Sequence, residues 1–322
     1  LASREAAGLE TPSLSVLGIV GAERSRCTPL LNALAEQTIL DELEVILVDV
    51  AAQDVPDIIP PSGLNIQVLR QPGSWDWGGS RAVTVRMAKA PIVAFLEDHT
   101  IPDPSWAEEV KLAFDRSDEN TTSVCYAFTN GSPDTYFYRS VFMAEYGTLA
   151  HPLLEGTPPS ATANNIAYRR KVLLSLGDKL AELLELDFFC HQFLGRKFKA
   201  VTAPRAILAH QTNTYLKDLV VGHFGYARLF ANRRLSHEKW NLPKRILGVL
   251  SVPLLVPLLR LKRLFTALRG RGLTQDAVLG LPVILLLYFA GSIGESVGLL
   301  QGGRLSAQEI VWLELIAPRE PR

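Results

Sequence analysis

Short runs of consecutive apolar residues alternate with longer segments of helical spacing over the first two-thirds of the chain. Ser13–Val20 (SLSVLGIV), Glu44–Asp49 (EVILVD) and Ile92–Leu96 are nearly unbroken apolar runs and read as strands buried on both faces, and Asn65–Arg70 reads as a further strand. Thr28-Pro29 supplies a cap and a first-turn proline for a helix through Glu36. A second helix is expected over Ser80–Ala88, after the glycine-rich turn QPGSWDWGGS. Strand, helix and strand in this order build a parallel sheet. Asp103-Pro104 is expected to open another helix with Asp as N-cap, and TTSVCYAF to form another strand. The Gly-, Pro-, Ser- and Thr-rich stretch from NGSPDTYFYRS to EGTPPSATANN reads as loops. Ala181–Leu194 has the spacing of an amphipathic helix closed by Gly195. KFKAVTAPRAILAHQ predicts two short strands ending at His210, and Thr214–Phe230, with Tyr215, His223 and Tyr226, a flexible lid.

The last quarter changes character. Ile246–Leu259 (ILGVLSVPLLVPLL) is apolar for only about 21 Å of helix, short of a hydrocarbon core of about 30 Å, and holds Pro253 and Pro257. Basic residues flank it on both sides, Lys244 and Arg245 before it and Arg260, Lys262, Arg263, Arg269 and Arg271 after it. A single crossing would put one basic cluster on the outer side, so a re-entrant or interfacial element is favoured. Ala277–Gly294 is long enough to span, with Pro282 interrupting it and Glu295 beyond it. Ser306-Ala-Gln-Glu309 is a capping box for a final amphipathic helix with Ile310, Val311, Leu313 and Leu315 as its apolar positions.

Charge sharpens this division. Leu1–Lys239 holds 23 basic and 28 acidic residues, a net of −5, whereas Trp240–Arg322 holds 10 and 5, a net of +5. The apolar end is therefore the basic end, as contact with lipid headgroups requires, and the boundary is expected between residues 1–239 and 240–322. Arg228, Arg233 and Arg234 lead into it. Cys27, Cys125 and Cys190 are the only cysteines, without metal spacing, which fits a reduced compartment. The polar N-terminus lacks a signal pattern, so a membrane-associated protein facing the cytosol is expected.

The candidate chemistry gathers in PIVAFLEDHTIPDPSW, where an apolar strand stops at Glu97, Asp98 and His99. In an open α/β sheet ligands collect outside the carboxyl ends of strands. Neither GxxxxGK[ST] nor GxGxxG occurs, so a bound diphosphate would need a metal held by side chains. Glu97 and His99 are alternate residues of an extended segment and project to one side, and a carboxylate with an imidazole suits Mn²⁺ better than Mg²⁺. Strand ends with carboxylates, Asp49 among them, can hold a base or ribose.

SVLGIVGAERSRCTPLLNALAEQT, EVILVDVAAQD, GGSRAVTVRMAKAPIVAFLEDHTIPDPSW and ANNIAYRRKVLLSLGDK together resemble glycosyltransferase family 2, the inverting GT-A enzymes that use nucleotide-diphospho sugars. The resemblance covers roughly Ser13 to Arg228 and rests on the order of several moderate motifs. It implies a Rossmann-like, mostly parallel sheet flanked by helices, joined here to a C-terminal membrane-associated helical region. It implies that Asp49 holds the nucleotide base, that Glu97 and His99 stand at the metal-binding DxD position, and that His210 is a further metal or diphosphate ligand. Arg81, Asp98, Asn165 and Arg169 join Asp49 as candidate donor-binding residues, with Arg170 beside them. In Leu184-Glu185-Leu186-Asp187, the position of the family's acid cluster, Glu185 matches the usual general base and Asp187 is its alternative; His191 reads as packed or solvated. The departures are Val50 where a second acid is usual and Glu97 where the first Asp is usual. Implied partners are a nucleotide sugar, a glycan or lipid-linked acceptor, membrane lipids and a second copy of the chain, with no nucleic acid; the implied cofactor is Mn²⁺ or Mg²⁺. The missing QxxRW signature argues against a processive polysaccharide synthase. A nucleotidyltransferase on the same core, for which GIVGAERSR is a poor phosphate loop, and a membrane-anchored binding protein that has lost metal are the rival readings.

Overall fold

The structure is a computed structural model that describes residues 11–52, 56–74, 76–159, 164–186, 194, 199–212, 214–301 and 307–315. In chain order the elements up to the middle of the molecule are β1 (Leu14–Val20), α1 (Thr28–Ala35), β2 (Leu43–Asp49), β3 (Ile66–Arg70), α2 (Trp77–Met87), β4 (Ile92–Phe95), β5 (Thr100–Pro102), α3 (Trp106–Asp115), β6 (Thr121–Asn130) and α4 (Tyr136–Glu145). There follow β7 (Ile166–Arg169), α5 (Arg170–Leu174), α6 (Leu180–Leu184), β8 (Lys199–His210), α7 (Leu216–Glu238), α8 (Leu242–Leu268), α9 (Thr274–Leu279), α10 (Leu281–Leu300) and α11 (Gln308–Leu315).

The eight strands form one sheet in the order β3-β2-β1-β4-β7-β6-β8-β5. β3, β2, β1 and β4 run parallel, and every residue of β2 and β4 is buried, which is why their sequences carry no alternation. β7 is antiparallel to both β4 and β6, and β5 is antiparallel to β8, so the sheet is mixed. The chain steps outward from β1 to β2 and β3, then returns to lay β4 on the other side of β1. That reversal opens a crevice between the carboxyl ends of β1 and β4, where a sheet of this kind receives ligands. Trp106, Phe114, Tyr126, Phe128 and Tyr168 fill the core between sheet and helices, with Trp106 edge-on to Tyr126 at 5.4 Å.

Several expected boundaries move for identifiable reasons. α2 begins at Trp77, three residues early, because Asp76 caps it by accepting from Gly79 N at 2.8 Å. α3 begins late: Asp103 Oδ1 accepts from Ser105 N and Oγ, so Asp103-Pro104 make a turn before the helix, and Thr100–Pro102 pair with β8. The loop-like stretch after Asn130 contains α4, capped by Thr135. The two strands expected before His210 are one, β8, whose register against β6 shifts between Ala203 and Ile207 around Pro204, a residue with no amide to donate. The helix expected over Ala181–Leu194 ends at Leu184; Asp187, His191 and Gly195 lie outside the described residues.

The expected lid is instead α7, a helix packed along its length against α10. Gly294 and Gly298 of α10 make this approach close: a Cβ there would lie 2.1 Å from Phe224 O and 2.2 Å from Arg228 O of α7. α8 is one continuous helix of 27 residues, about 40 Å, through both prolines. Pro253 cannot donate to Val249 O, and Ser296 Oγ of α10 takes up that carbonyl at 3.3 Å. α8 and α10 are both long and apolar enough to cross a membrane. They differ in surroundings: Leu247, Leu250, Leu254 and Leu258 of α8 are 63–70% exposed, whereas Ile284, Leu287 and Tyr288 of α10 are buried. Leu264, Leu268, Ala277, Ile284 and Tyr288 pack into the same core as the sheet, although they follow the expected boundary at Lys239.

Candidate active site

β4 ends at Phe95, and the next turn presents Glu97, Asp98 and His99 at the crevice. β8, lying two strands beyond β7 and paired with Thr100–Pro102, brings His210 to the same place. Ligand atoms of Glu97, His99 and His210 all lie within 4.8 Å of one another. His210 Nε2 is 3.1 Å from His99 Nε2 and 3.2 Å from Glu97 Oε2, and His99 Nε2 is 3.9 Å from the same carboxylate oxygen.

The surroundings fix this arrangement. Asn164 Nδ2 donates to Glu97 Oε1 at 2.7 Å and Asn165 Nδ2 to Glu97 Oε2 at 2.6 Å, while Asn165 Oδ1 accepts from Glu97 N at 3.1 Å. Asn164 reaches its carboxylate from a left-handed backbone, φ 74°, which Asn tolerates well. Burial pushes the Glu97 carboxyl upward, but the hydrogen bond from His210, the two imidazoles and Asn164 outweigh it and hold the pKa well below the usual carboxylate range. Tyr146 packs its ring 4.4 Å from that of His210. Asp98 lies 2.9 Å from His99 Nδ1 and 3.0 Å from Arg26. Nδ1 also lies 2.7 Å from Arg26 Nη2, which can only donate, so this nitrogen stands between a carboxylate that favours a proton on it and a guanidinium that favours its lone pair, while Nε2 faces His210 and Glu97. Burial, and then the nearby Arg26 guanidinium, push the His99 pKa down and favour its neutral form. One carboxylate and two imidazoles with an oriented partner behind one of them fit a divalent ion of the Mn²⁺ type.

The other candidates divide. Arg81 reaches the crevice, donating to Leu184 O at 2.8 Å and to Asn164 Oδ1, and its guanidinium stacks 5.0 Å above Trp77. Asp49 is 1% exposed, and Arg24 grips it through Nε at 2.9 Å and Nη2 at 2.8 Å, while its other oxygen accepts from Ala51 N. Glu185 holds a bidentate pair with the buried Arg233 of α7, at 2.6 and 2.8 Å. Arg169 is not brought to the cluster: it pairs in register with Ile92, at the far end of β4, and donates to Thr121 O and Phe114 O. Arg170 likewise donates to Val85 O and Arg86 O. Arg24, Arg26, Asn164 and Tyr146 are the residues that sequence reasoning missed; only Asn164, next to Asn165, carried a local signal.

Cys27 lies beside this charge network and is 1% exposed. Burial first, and then the Asp98 charge, push its thiol up to about 12. At pH 8 the side chain is held as the unreactive thiol. Iodoacetamide is therefore expected to leave the Cys27 peptide unlabelled in native protein and to label it fully in urea, read by mass spectrometry.

Residues 23–177 match the family model of glycosyl transferase family 2. Among solved structures, the mannosyltransferase PcManGT from Pyrobaculum calidifontis, in complex with GDP-Man and Mn²⁺, is 17% identical, with TM-score 0.53 over 89% of this chain and 86% of that one. TarS 1-349 from S. aureus, in complex with UDP, is 15% identical, with TM-score 0.45 over 88% of this chain and 90% of that one. Comparison with curated proteins finds no match. The fold is of the GT-A type. The matched residues 23–177 hold the Glu97–His99 turn and its asparagine clamp, so the likeness to glycosyl transferase family 2 covers most of the site.

Proposed function

We propose that the protein is a metal-dependent, inverting glycosyltransferase that moves a sugar from a nucleotide-diphospho-sugar donor to a glycan or lipid-linked acceptor. The convergence of Glu97, His99 and His210 at the β1/β4 crevice carries this reading. These residues would hold Mn²⁺ or Mg²⁺, which supplies charge to stabilise the departing nucleoside diphosphate. The buried Arg81 lines the crevice, and the buried Arg26 adds positive charge behind it, 3.0 Å from Asp98. PcManGT, with its GDP-Man and Mn²⁺, is consistent with such a donor and ion. Asp49 acts through Arg24 in this scheme, because the guanidinium occupies the carboxylate that would otherwise face a base.

Inversion needs one carboxylate to take the acceptor hydroxyl's proton. Glu185 and Asp187 are the two candidates. A carboxylate whose two oxygens accept from one guanidinium has its bidentate face closed to a hydroxyl, so Glu185 serves only when it parts from Arg233. Glu185→Gln and Asp187→Asn separate the two: the variant that keeps donor binding and loses transfer names the base. Transfer and donor hydrolysis across common nucleotide sugars, with Mn²⁺ and with EDTA, test the reaction itself. Turnover untouched by EDTA would sink the metal-dependent scheme.

Residues 240–322 form the membrane-associated part in this proposal, with residues 1–239 facing the cytosol. The exposed leucines of α8 recur every three to four residues, and Arg260, Lys262 and Arg263 follow them, as in a helix lying in the headgroup region. Replacing Leu250 and Leu254 together by Gln is expected to abolish co-flotation with vesicles containing anionic lipid and to leave the unfolding midpoint unchanged. Undiminished flotation would place the lipid contact elsewhere.

A further inference from the structure

The crevice has an occupant from its own chain. Leu315, the last residue of α11, lines it together with Gly18 of β1 and with Glu97, Asp98 and His99. Its carbonyl accepts from Ala22 N at 2.6 Å, directly after the carboxyl end of β1. Gly21 makes this approach possible, since a Cβ there would lie 2.1 Å from Leu315 O. The helix is seated by apolar contacts: Ile310 is 4% exposed, Val311 1% and Leu315 9%. Ile310 lies against Gly225 of α7, where a Cβ would be 3.3 Å from it. α11 thus bridges the helical region and the loop after β1, and closes one side of the place where a sheet with this strand order takes its ligand.

We propose that α11 is an autoinhibitory plug, which fills the β1 side of the donor crevice and must withdraw before a nucleoside diphosphate binds. The inference rests on the donor reading given above. A ligand that needs a minor state binds more weakly by the fraction of that state. A plug seated nine-tenths of the time thus weakens apparent affinity about tenfold. Withdrawal also uncovers the apolar face of α11, formed by Ile310, Val311 and Leu315 and now packed toward α7, so an available lipid surface would favour the open state.

Three measurements test this in the full chain and two variants. Titration of UDP and of GDP in the presence of Mn²⁺ is expected to give about tenfold tighter binding once residues 307–322 are deleted. Gly21→Ala, whose new methyl meets Leu315 O, is expected to tighten binding similarly in the full chain and to have no effect in the deleted one. In the unaltered chain, hydrogen exchange of residues 308–315 should rise when nucleotide and Mn²⁺ bind. Equal or weaker binding after deletion, or increased protection of 308–315 by nucleotide, would show α11 to be a wall of the donor site and overturn the plug alone. If neither the full nor the deleted chain binds UDP or GDP, the donor reading fails and the plug falls with it.

Discussion

Glu97→Gln is expected to abolish Mn²⁺-dependent nucleotide binding and to lower transfer by on the order of 10²–10³-fold, with little change in fold. The substitution does more than remove a negative charge. Glu97 accepts from Asn164 on one oxygen and from Asn165 on the other, so an amide in its place turns an NH₂ group toward one of two NH₂ donors. The side chain must then rotate out of the clamp, and His210 Nε2 loses its acceptor at 3.2 Å. Calorimetric titration of Mn²⁺ and of UDP or GDP with Mn²⁺, together with turnover, checks the expectation. His210→Ala should have a similar effect through loss of a nitrogen donor. Wild-type turnover and metal affinity in Glu97→Gln would show that the cluster is a structural network of hydrogen bonds.

Arg24→Ala should produce the largest loss of stability, roughly 3–5 kcal/mol, because it strands a carboxylate in the interior. The two side chains are 4% and 1% exposed, and Asp49 receives two nitrogens of one guanidinium. Removing one partner leaves the full desolvation cost of the other, whereas replacing both by apolar groups of similar size is nearly neutral. Arg24→Met with Asp49→Leu should therefore be far more stable than either single variant in urea denaturation. A small effect of Arg24→Ala would mean that Asp49 is neutralised by another group and is available to a base after all.

Much of the sheet was legible because its strands are unbroken apolar runs that end in charge. β1, β2 and β4 fall within a residue or two of their expected bounds, and the Glu97–His99 turn follows directly from the end of β4. His210 is a different case. It is 111 residues from His99, and what joins them is the pairing of β8 with Thr100–Pro102, a three-residue strand with no sequence signature. Arg169 went to the wrong end of the sheet for a related reason: an arginine after a strand suggests phosphate, but β7 is antiparallel to β4, so its last residue lies beside Ile92. α7 read as a lid because it lacks one clear apolar stripe; it is buried on more than one side, against α10 and toward Trp77, with Tyr226 stacked 5.9 Å from that ring. Arg24 and Arg26 were invisible since nothing local distinguishes a buried arginine from a solvated one.

The adjacent Arg233 and Arg234 of α7 bear on how the molecule could be divided. Arg233 grips Glu185, just after α6, and Arg234 grips Glu295, 7% exposed, in the last third of α10. Successive helical residues point about 100° apart, so one turn of α7 is riveted to both halves at once. The C-terminal helices are therefore not an anchor that can be clipped off to leave a tidy soluble enzyme. A chain cut after Lys239 would lose the Arg234 partner and bare the α7 surface that Gly294 and Gly298 now approach to backbone contact. α7 thus ties the helices after Lys239 to the sheet-bearing part, and a displacement of α10 reaches Arg234, one residue away from the grip on Glu185.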